Sequence, residues 1–186
     1  MRYYILLQFS VLSLISPMAL AIPDSAILGP YEVSFDSGFA KSDYNISIKK
    51  PTFDEMLSGT NRTVYSLEII NKTVSLNRAS ISIVTLENAT HQDISGSDIK
   101  ENLISINSGP HISDIRSSER NVDGSDGAIV SGIMDFDMNG TTILIDYYHA
   151  MYPLTFDSSS MVEIVSFYPW NEGTLNILKT IHVERL

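Results

Sequence analysis

The strongest constraint on the fold is the Asn139-Gly140 pair, which lies between two runs of alternating apolar residues. An Asn-Gly pair readily adopts positive φ angles and favours a two-residue type I′ turn between antiparallel strands. In that register Asp137 faces Thr142, and one face of the hairpin is almost wholly apolar. The apolar face comprises Met134, Phe136, Met138, Thr141, Ile143 and Ile145. The sequence therefore predicts strands over 128–138 and 141–150, with Met134, Phe136, Ile143 and Ile145 buried.

The same segment, DFDMNGTTILID, also has the acidic spacing of a calcium loop. In the hairpin, however, Asp146 lies four residues along the strand from the position opposite Asp137, which is about 13 Å. Calcium holds its oxygen ligands at about 2.3–2.6 Å, so Asp146 could not close the site. A second acidic segment, 121–127, departs from the calcium spacing and predicts a loop before the next strand. We therefore expect no metal site.

The first 21 residues have the features of a secretory signal peptide. Arg2 is followed by a short apolar run and by a small-residue site, Ala19-Leu20-Ala21. The run is shorter than the roughly 20 apolar residues needed to cross a bilayer. The sequence predicts cleavage after Ala21, a secreted or cell-surface location, and no membrane span in the mature chain.

Composition narrows the class of protein. The chain has 186 residues and a formal net charge of −10, which disfavours nucleic acid and anionic membranes as partners. It contains no cysteine, so the apolar core must supply the stability that disulfides give many exported domains. This combination favours a prokaryotic envelope or extracellular protein. We expect a signal peptide at 1–21, an N-terminal strand or linker segment at 22–43, and a single α+β domain at 44–186.

Glycosylation sequons are frequent. Five occur, at Asn45, Asn61, Asn71, Asn88 and Asn139. Each permits a glycan in an exported protein, and each is equally compatible with an ordinary polar surface residue.

The hydrophobic periodicity predicts a strand-rich chain with two helices. Alternating or β-rich runs cover 31–35, 44–48, 64–70, 79–86 and 161–168. Helical spacing covers 98–106, where Asp98 and Glu101 stand at capping-box spacing, and 174–185. The predicted fold class is α+β, with a central, mostly antiparallel sheet and about two helices packed on it.

No local catalytic motif occurs in the sequence. His149 lies among aromatic residues at the end of the predicted strand 141–150. More aromatic residues occur at the end of the predicted strand 161–168. These residues predict an aromatic ligand groove, formed by Tyr148, His149, Tyr152, Tyr168 and Trp170. The alternative is that they fill the core and rim of a sheet.

Two stretches carry a family resemblance. GPYEVSFDSG and SMVEIVSFYPWNEGTLNILKTIHVER resemble small exported proteins of methanogenic archaea that have no assigned activity. From 44 onward the order of elements is similar to the PsbP-like fold. This resemblance implies an antiparallel sheet sandwiched with helices and a role in binding other proteins. It carries over no functional residue.

Two functions remain open. The first is a non-enzymatic secreted or cell-surface binding or structural module, whose partner is an extracellular or envelope protein. The second is a secreted carbohydrate-binding domain or hydrolase that uses an aromatic groove near His149 and Trp170. We expect no cofactor for either function.

Overall fold

The structure is a computed structural model that describes residues 23–56, 60–74, 78–87, 94–167 and 171–186. The predicted signal peptide therefore lies outside the described residues. The strands are β1 (Asp24–Leu28), β2 (Tyr31–Phe35), β3 (Tyr44–Ile48), β4 (Thr52–Glu55), β5 (Asn61–Asn71), β6 (Arg78–Leu86), β7 (Ile112–Val122), β8 (Ser125–Met138), β9 (Thr141–Leu154), β10 (Asp157–Phe167) and β11 (His182–Arg185). The helices are α1 (Gly96–Asn107) and α2 (Asn171–Thr180), with a short 3-10 turn at Lys41–Asp43.

The strands form two antiparallel sheets. The large sheet has the order β3-β5-β6-β10-β9-β8-β7. Strand β5 pairs along one edge with both β3 and β4: its residues 67–71 pair with β3 and its residues 61–64 pair with β4. The small sheet has the order β1-β2-β11. Strand makes up 63% of the structure and helix 15%, so the α+β prediction is wrong and the protein is β-rich. The prediction failed because it omitted β4, β7 and β11, which have little alternation of their own.

The main core lies between the two sheets. Apolar side chains from one face of β5, β6, β9 and β10 meet those of the small sheet and of α2, including the fully buried Phe35, Ile81, Ile164 and Ile177. A smaller core lies on the opposite face of the large sheet, where Ile99 and Leu103 of α1 pack on β8. Helix α1 therefore covers one end of a face whose other end it leaves open.

The hairpin register is confirmed residue by residue. Asp137 pairs with Thr142 and Asp135 with Leu144, and both turn residues, Asn139 and Gly140, have positive φ.

The predicted burial of the hairpin is only partly right. Ile145 is buried, Met134 and Ile143 are half-buried, and Phe136 is 44% exposed. The physical reason is length, because strands of 14 residues extend about 48 Å and reach beyond the layers that cover them.

Both helices exist, but their boundaries differ from the prediction. The capping box of α1 joins Ser95 to Asp98 rather than Asp98 to Glu101. Helix α2 ends at Thr180, and the next residues form β11, which pairs with β2. Tertiary pairing overrides the helical spacing there, since β2 offers an unpaired sheet edge.

One further prediction, a loop at 121–127, is wrong. The segment 121–127 contains a tight turn at Asp123-Gly124, with positive φ at both residues, rather than a loop. Residues 24–35, predicted as a strand or linker segment, form β1 and β2 of the small sheet.

Neither helix in the described ranges has the length and apolar composition that a bilayer crossing requires.

Candidate functional site

The structure separates the residues of the predicted aromatic groove. Successive side chains of β9 point to opposite faces, so Tyr148 and Tyr152 face the small sheet whereas His149 faces α1. Tyr152 is fully buried. The three side chains therefore line no common groove. The other two members of the predicted groove, Tyr168 and Trp170, lie outside the described residues.

His149 is instead the centre of a polar network beneath the end of α1. Its Nε2 lies 2.7 Å from Oε1 of Glu163 on β10, the next strand. Its Nδ1 lies 3.1 Å from the Tyr147 hydroxyl and 3.2 Å from Nδ2 of Asn107. Asn107 is the last residue of α1, and its amide also donates to the carbonyl oxygen of Leu103. The network thus joins the helix to two strands.

The network runs from the interior to the surface. The His149 side chain is 4% exposed and that of Glu163 is 33% exposed. The hydrogen bond from His149 lowers the pKa of Glu163, against the opposing effect of its burial. Burial, together with the charge of Glu163, raises the pKa of Tyr147 to about 12. Glu163 is therefore a fixed carboxylate, and Tyr147 is a neutral phenol.

A carboxylate, an imidazole and a phenol in series form a chain that can hold or pass a proton. When Nε2 carries the proton and donates to Glu163, Nδ1 can accept from Tyr147 or Asn107. A general base must lie within hydrogen-bond reach of its substrate, and His149 is enclosed by the protein. Of the carboxylate and the imidazole, only Glu163 presents substantial surface. The arrangement therefore positions a surface carboxylate.

Glu163 lies on the part of the large sheet that α1 does not cover. We call this surface the open face; it is built by side chains of β5, β6 and β10 that point to the same side as Glu163. Strand pairing places Ser82 opposite Glu163 and Ser66 opposite Ser82. The polar members of the open face are Ser66, Glu68, Arg78, Ser80, Ser82 and Glu163, and its apolar members include Val64, Ile70, Val84, Val165 and Phe167.

Neither helix packs over the centre of this surface. Helix α1 lies mainly over β7, β8 and β9, and α2 lies with the small sheet on the opposite side. The three serines at its centre have short side chains, because a hydroxymethyl group rises little above the backbone.

One end of the open face is concave. The Arg78 guanidinium lies 5.4 Å from the centre of the Phe167 ring, at cation–π distance. Glu68 forms a 2.7 Å ion pair with Lys49, the residue after β3. Between them is a cleft of about 160 Å³, lined by Glu68, Arg78, Ala79, Ser80, Val165 and Phe167. The cleft combines two apolar walls with hydrogen-bonding groups of both signs.

A second depression, of about 340 Å³, lies at the N-terminus of α1. The helix end is already capped by Ser95 and Asp98, and Glu119 and Asp126 stand beside it. These carboxylates would repel an anion, the ligand that a helix N-terminus favours. We find no ligand chemistry in this depression.

The sequons differ in their surroundings. Asn45, Asn61 and Asn139 are exposed, whereas Asn71 is half-buried. Asn61 donates its amide to Glu87, and Asn71 accepts hydrogen bonds from Thr73 and Val74 within its own turn. The remaining sequon, Asn88, lies outside the described residues.

Sequence reasoning missed Glu163 and Asn107 as partners of His149. One signal was present, because Glu163 is a charged residue within the apolar run MVEIV of a central strand. Such a residue needs a partner, since burying an unpaired charge is costly. The identity of the partner depends on strand order, which the local pattern does not specify.

Across the described ranges, no cluster of three or more His, Asp or Glu side chains is arranged to hold a metal ion. No protein-family model matches the chain, and no curated protein is significantly similar to it in sequence. The resemblance to PsbP-like domains and to exported methanogen proteins thus stays a prediction.

Proposed function

We propose that this protein is an exported, non-enzymatic binding module that contacts an extracellular or envelope partner through the open face. The observation that carries the proposal is the surface of β5, β6 and β10 over which neither of the two described helices packs, and on which His149 holds Glu163 in place from the neighbouring strand. Binding surfaces benefit from side chains that are ordered before the partner arrives, because less conformational entropy is lost on association.

The buried position of the imidazole supports binding over catalysis. A hydrolase built on His149 would need that side chain, or the Tyr147 hydroxyl, to reach a substrate. Both residues are buried, and α1 lies on the same face of the sheet. The signal-peptide features of residues 1–21 support an exported location. The acidic net charge disfavours a nucleic acid as the partner, because like charges repel.

A binding experiment on envelopes tests the proposal. Fluorescently labelled protein is titrated onto envelope and extracellular material from the producing cells. We compare the wild type with Ser82→Arg, which places a long side chain at the centre of the open face. Ser118→Arg is the matched control, because Ser118 is an exposed serine on β7. We expect saturable binding by wild type and control, and a loss of roughly tenfold or more in Ser82→Arg.

Circular dichroism tests whether each variant is folded. If Ser82→Arg unfolds, Ser66→Arg takes its place. Equal binding by the open-face variant and the control would overturn the choice of surface. A complete absence of saturable wild-type binding would overturn the binding function. Hydrolysis of any substrate in a broad panel, lost in His149→Leu, would show that the protein is an enzyme.

A further inference from the structure

We infer that the ligand of the open face is a neutral, polyhydroxylated molecule, namely a saccharide chain without charged groups. This inference rests on the proposed function and specifies the chemistry of the partner. It follows from three properties of the surface: its hydrogen-bonding groups, its charge balance and the cleft at its end.

The hydrogen-bonding groups form two rows across the strands. One row runs from Glu163 through Ser82 to Ser66, and its neighbour runs from Val165 through Ser80 to Glu68. Adjacent strands are about 4.8 Å apart, so each row spans about 10 Å. Serine hydroxyls both donate and accept, and carboxylates accept. A sugar presents hydroxyl groups that also donate and accept, so the row from Glu163 to Ser66 matches its chemistry throughout, and the second row matches it at Ser80 and Glu68.

The charge of the open face is balanced, although the whole protein is strongly acidic at −10. Glu68 forms an ion pair with Lys49. The hydrogen bond from His149 and the positive charge of Arg62 on β5 both lower the pKa of Glu163. An anionic polymer would meet the repulsion of the whole acidic protein. A cationic polymer would be attracted by the protein as a whole, but the open face offers it no local excess of carboxylates. A ligand without net charge therefore fits the local balance of this surface best.

The cleft suits the amphipathic ring of a sugar. Its walls are the side chains of Val165 and Phe167, and its polar groups are those of Glu68, Arg78 and Ser80. Small-ligand sites combine apolar walls with a few fixed polar groups. The C–H groups of a sugar ring can contact the walls while its hydroxyls reach the polar groups.

One carboxylate oxygen of Glu163 can accept a hydrogen bond from such a ligand. Its Oε1 is engaged by His149, and within the described part of the chain its Oε2 has no hydrogen-bond partner. The oxygen can accept from a sugar hydroxyl without breaking an existing contact. A hydrogen bond to a charged acceptor is stronger than one between neutral groups, so Glu163 would anchor the saccharide.

A panel of immobilised oligosaccharides tests the inference. The panel contains neutral, acidic and amino-sugar oligosaccharides, and the neutral tetrasaccharide with the strongest signal is then titrated by calorimetry. We expect binding to neutral members, weakened by roughly tenfold in Arg78→Ala and in Ser82→Arg. Arg116→Ala is the matched control, because it removes an exposed arginine from the opposite face of the same sheet. Adding about 1 M NaCl should change the affinity by less than about threefold, since no ion pair is formed with a neutral ligand.

Binding confined to acidic or amino-sugar oligosaccharides, or to none, would overturn the inference. A second treatment separates this failure from failure of the proposed function. Envelope material is oxidised with periodate, which destroys vicinal diols, or digested with protease. If binding is lost in Ser82→Arg and after protease but survives periodate, the open face binds a protein; the saccharide inference then fails and the proposed function stands. Loss after periodate alone supports the inference.

Discussion

Replacing His149 with leucine tests whether the buried network stabilises the fold. The substitution removes the hydrogen bond to Glu163 and leaves the Tyr147 hydroxyl without its imidazole partner. Leucine is apolar and fits the buried surroundings, so the effect reports the lost polar contacts rather than a new clash.

The magnitude follows from these two contacts. A hydrogen bond to a charged group contributes roughly 1.5–3 kcal/mol, and the value is at the low end because a third of the Glu163 side chain is exposed. A buried hydroxyl without a partner costs roughly 1–3 kcal/mol. We expect His149→Leu to lower the free energy of unfolding by about 2–4 kcal/mol, which for a domain of this size lowers Tm by roughly 5–12 °C.

Urea and thermal unfolding, followed by circular dichroism, measure the change. His111→Leu is the control, because that histidine also pairs with a carboxylate, that of Asp135, but its side chain is 75% exposed. Its cost should stay below about 1 kcal/mol. In the double variant His149→Leu/Glu163→Leu the loss should be less than additive by about 1–2 kcal/mol, since the carboxylate no longer lacks its partner. Equal Tm values for His149→Leu and His111→Leu, or strict additivity, would refute the reasoning.

The same network gives a pH dependence. The folded-state pKa of Glu163 is lowered, so its contribution is present above the unfolded pKa of about 4.3 and is lost as pH falls through the folded value. The stability difference between wild type and Glu163→Gln should therefore shrink on acidification below about pH 4. A difference that grows with falling pH would contradict the assigned partner.

Three further changes should have separable effects. Ile145→Asp places a charge in the buried part of the hairpin and should cost several kcal/mol (roughly 3–5), whereas Ile143→Asp, nearer the turn, should cost clearly less; urea unfolding compares them. His182 donates to Asp123, which raises the pKa of His182, so this contact stabilises below the unfolded pKa of about 6.5 and is lost as pH rises through the folded value; Asp123→Asn should abolish that part of the Tm–pH profile. Ser95→Ala removes the capping box of α1 and should cost about 1 kcal/mol by the same unfolding assay.

The hairpin register could be predicted from sequence because two independent signals favoured it. The Asn139-Gly140 turn and the apolar alternation specify the same pairing, and agreement between local and global preferences is typical of a well-specified structure. Burial was harder to predict. Alternation identifies the face on which Phe136 lies, but what covers that face depends on where α1 packs.

The β-rich class was missed for a related reason. Strands β4 and β7 lie at sheet edges, and β7, with the sequence ISDIRSSERNV, has mostly exposed side chains and no clear alternation. The segment after α2 continues a helical spacing, yet it becomes β11 because β2 supplies a pairing edge. The network of His149 depends on residues 14 and 42 positions away, and such proximity is set by strand order.

The pairing of β2 with β11 also governs the order in which the molecule can fold. Ser34 pairs with His182, so β2 finds its second neighbour roughly 150 residues further along the chain. At a synthesis rate of roughly 5–20 residues per second, β2 waits on the order of ten seconds with one edge exposed. During that time the small sheet lacks one of its three strands, and the core between the sheets is incompletely covered. Strand β11 can therefore complete the small sheet only after residues 182–185 have been made, and until then the unpaired edge of β2 is open to a mispairing neighbour.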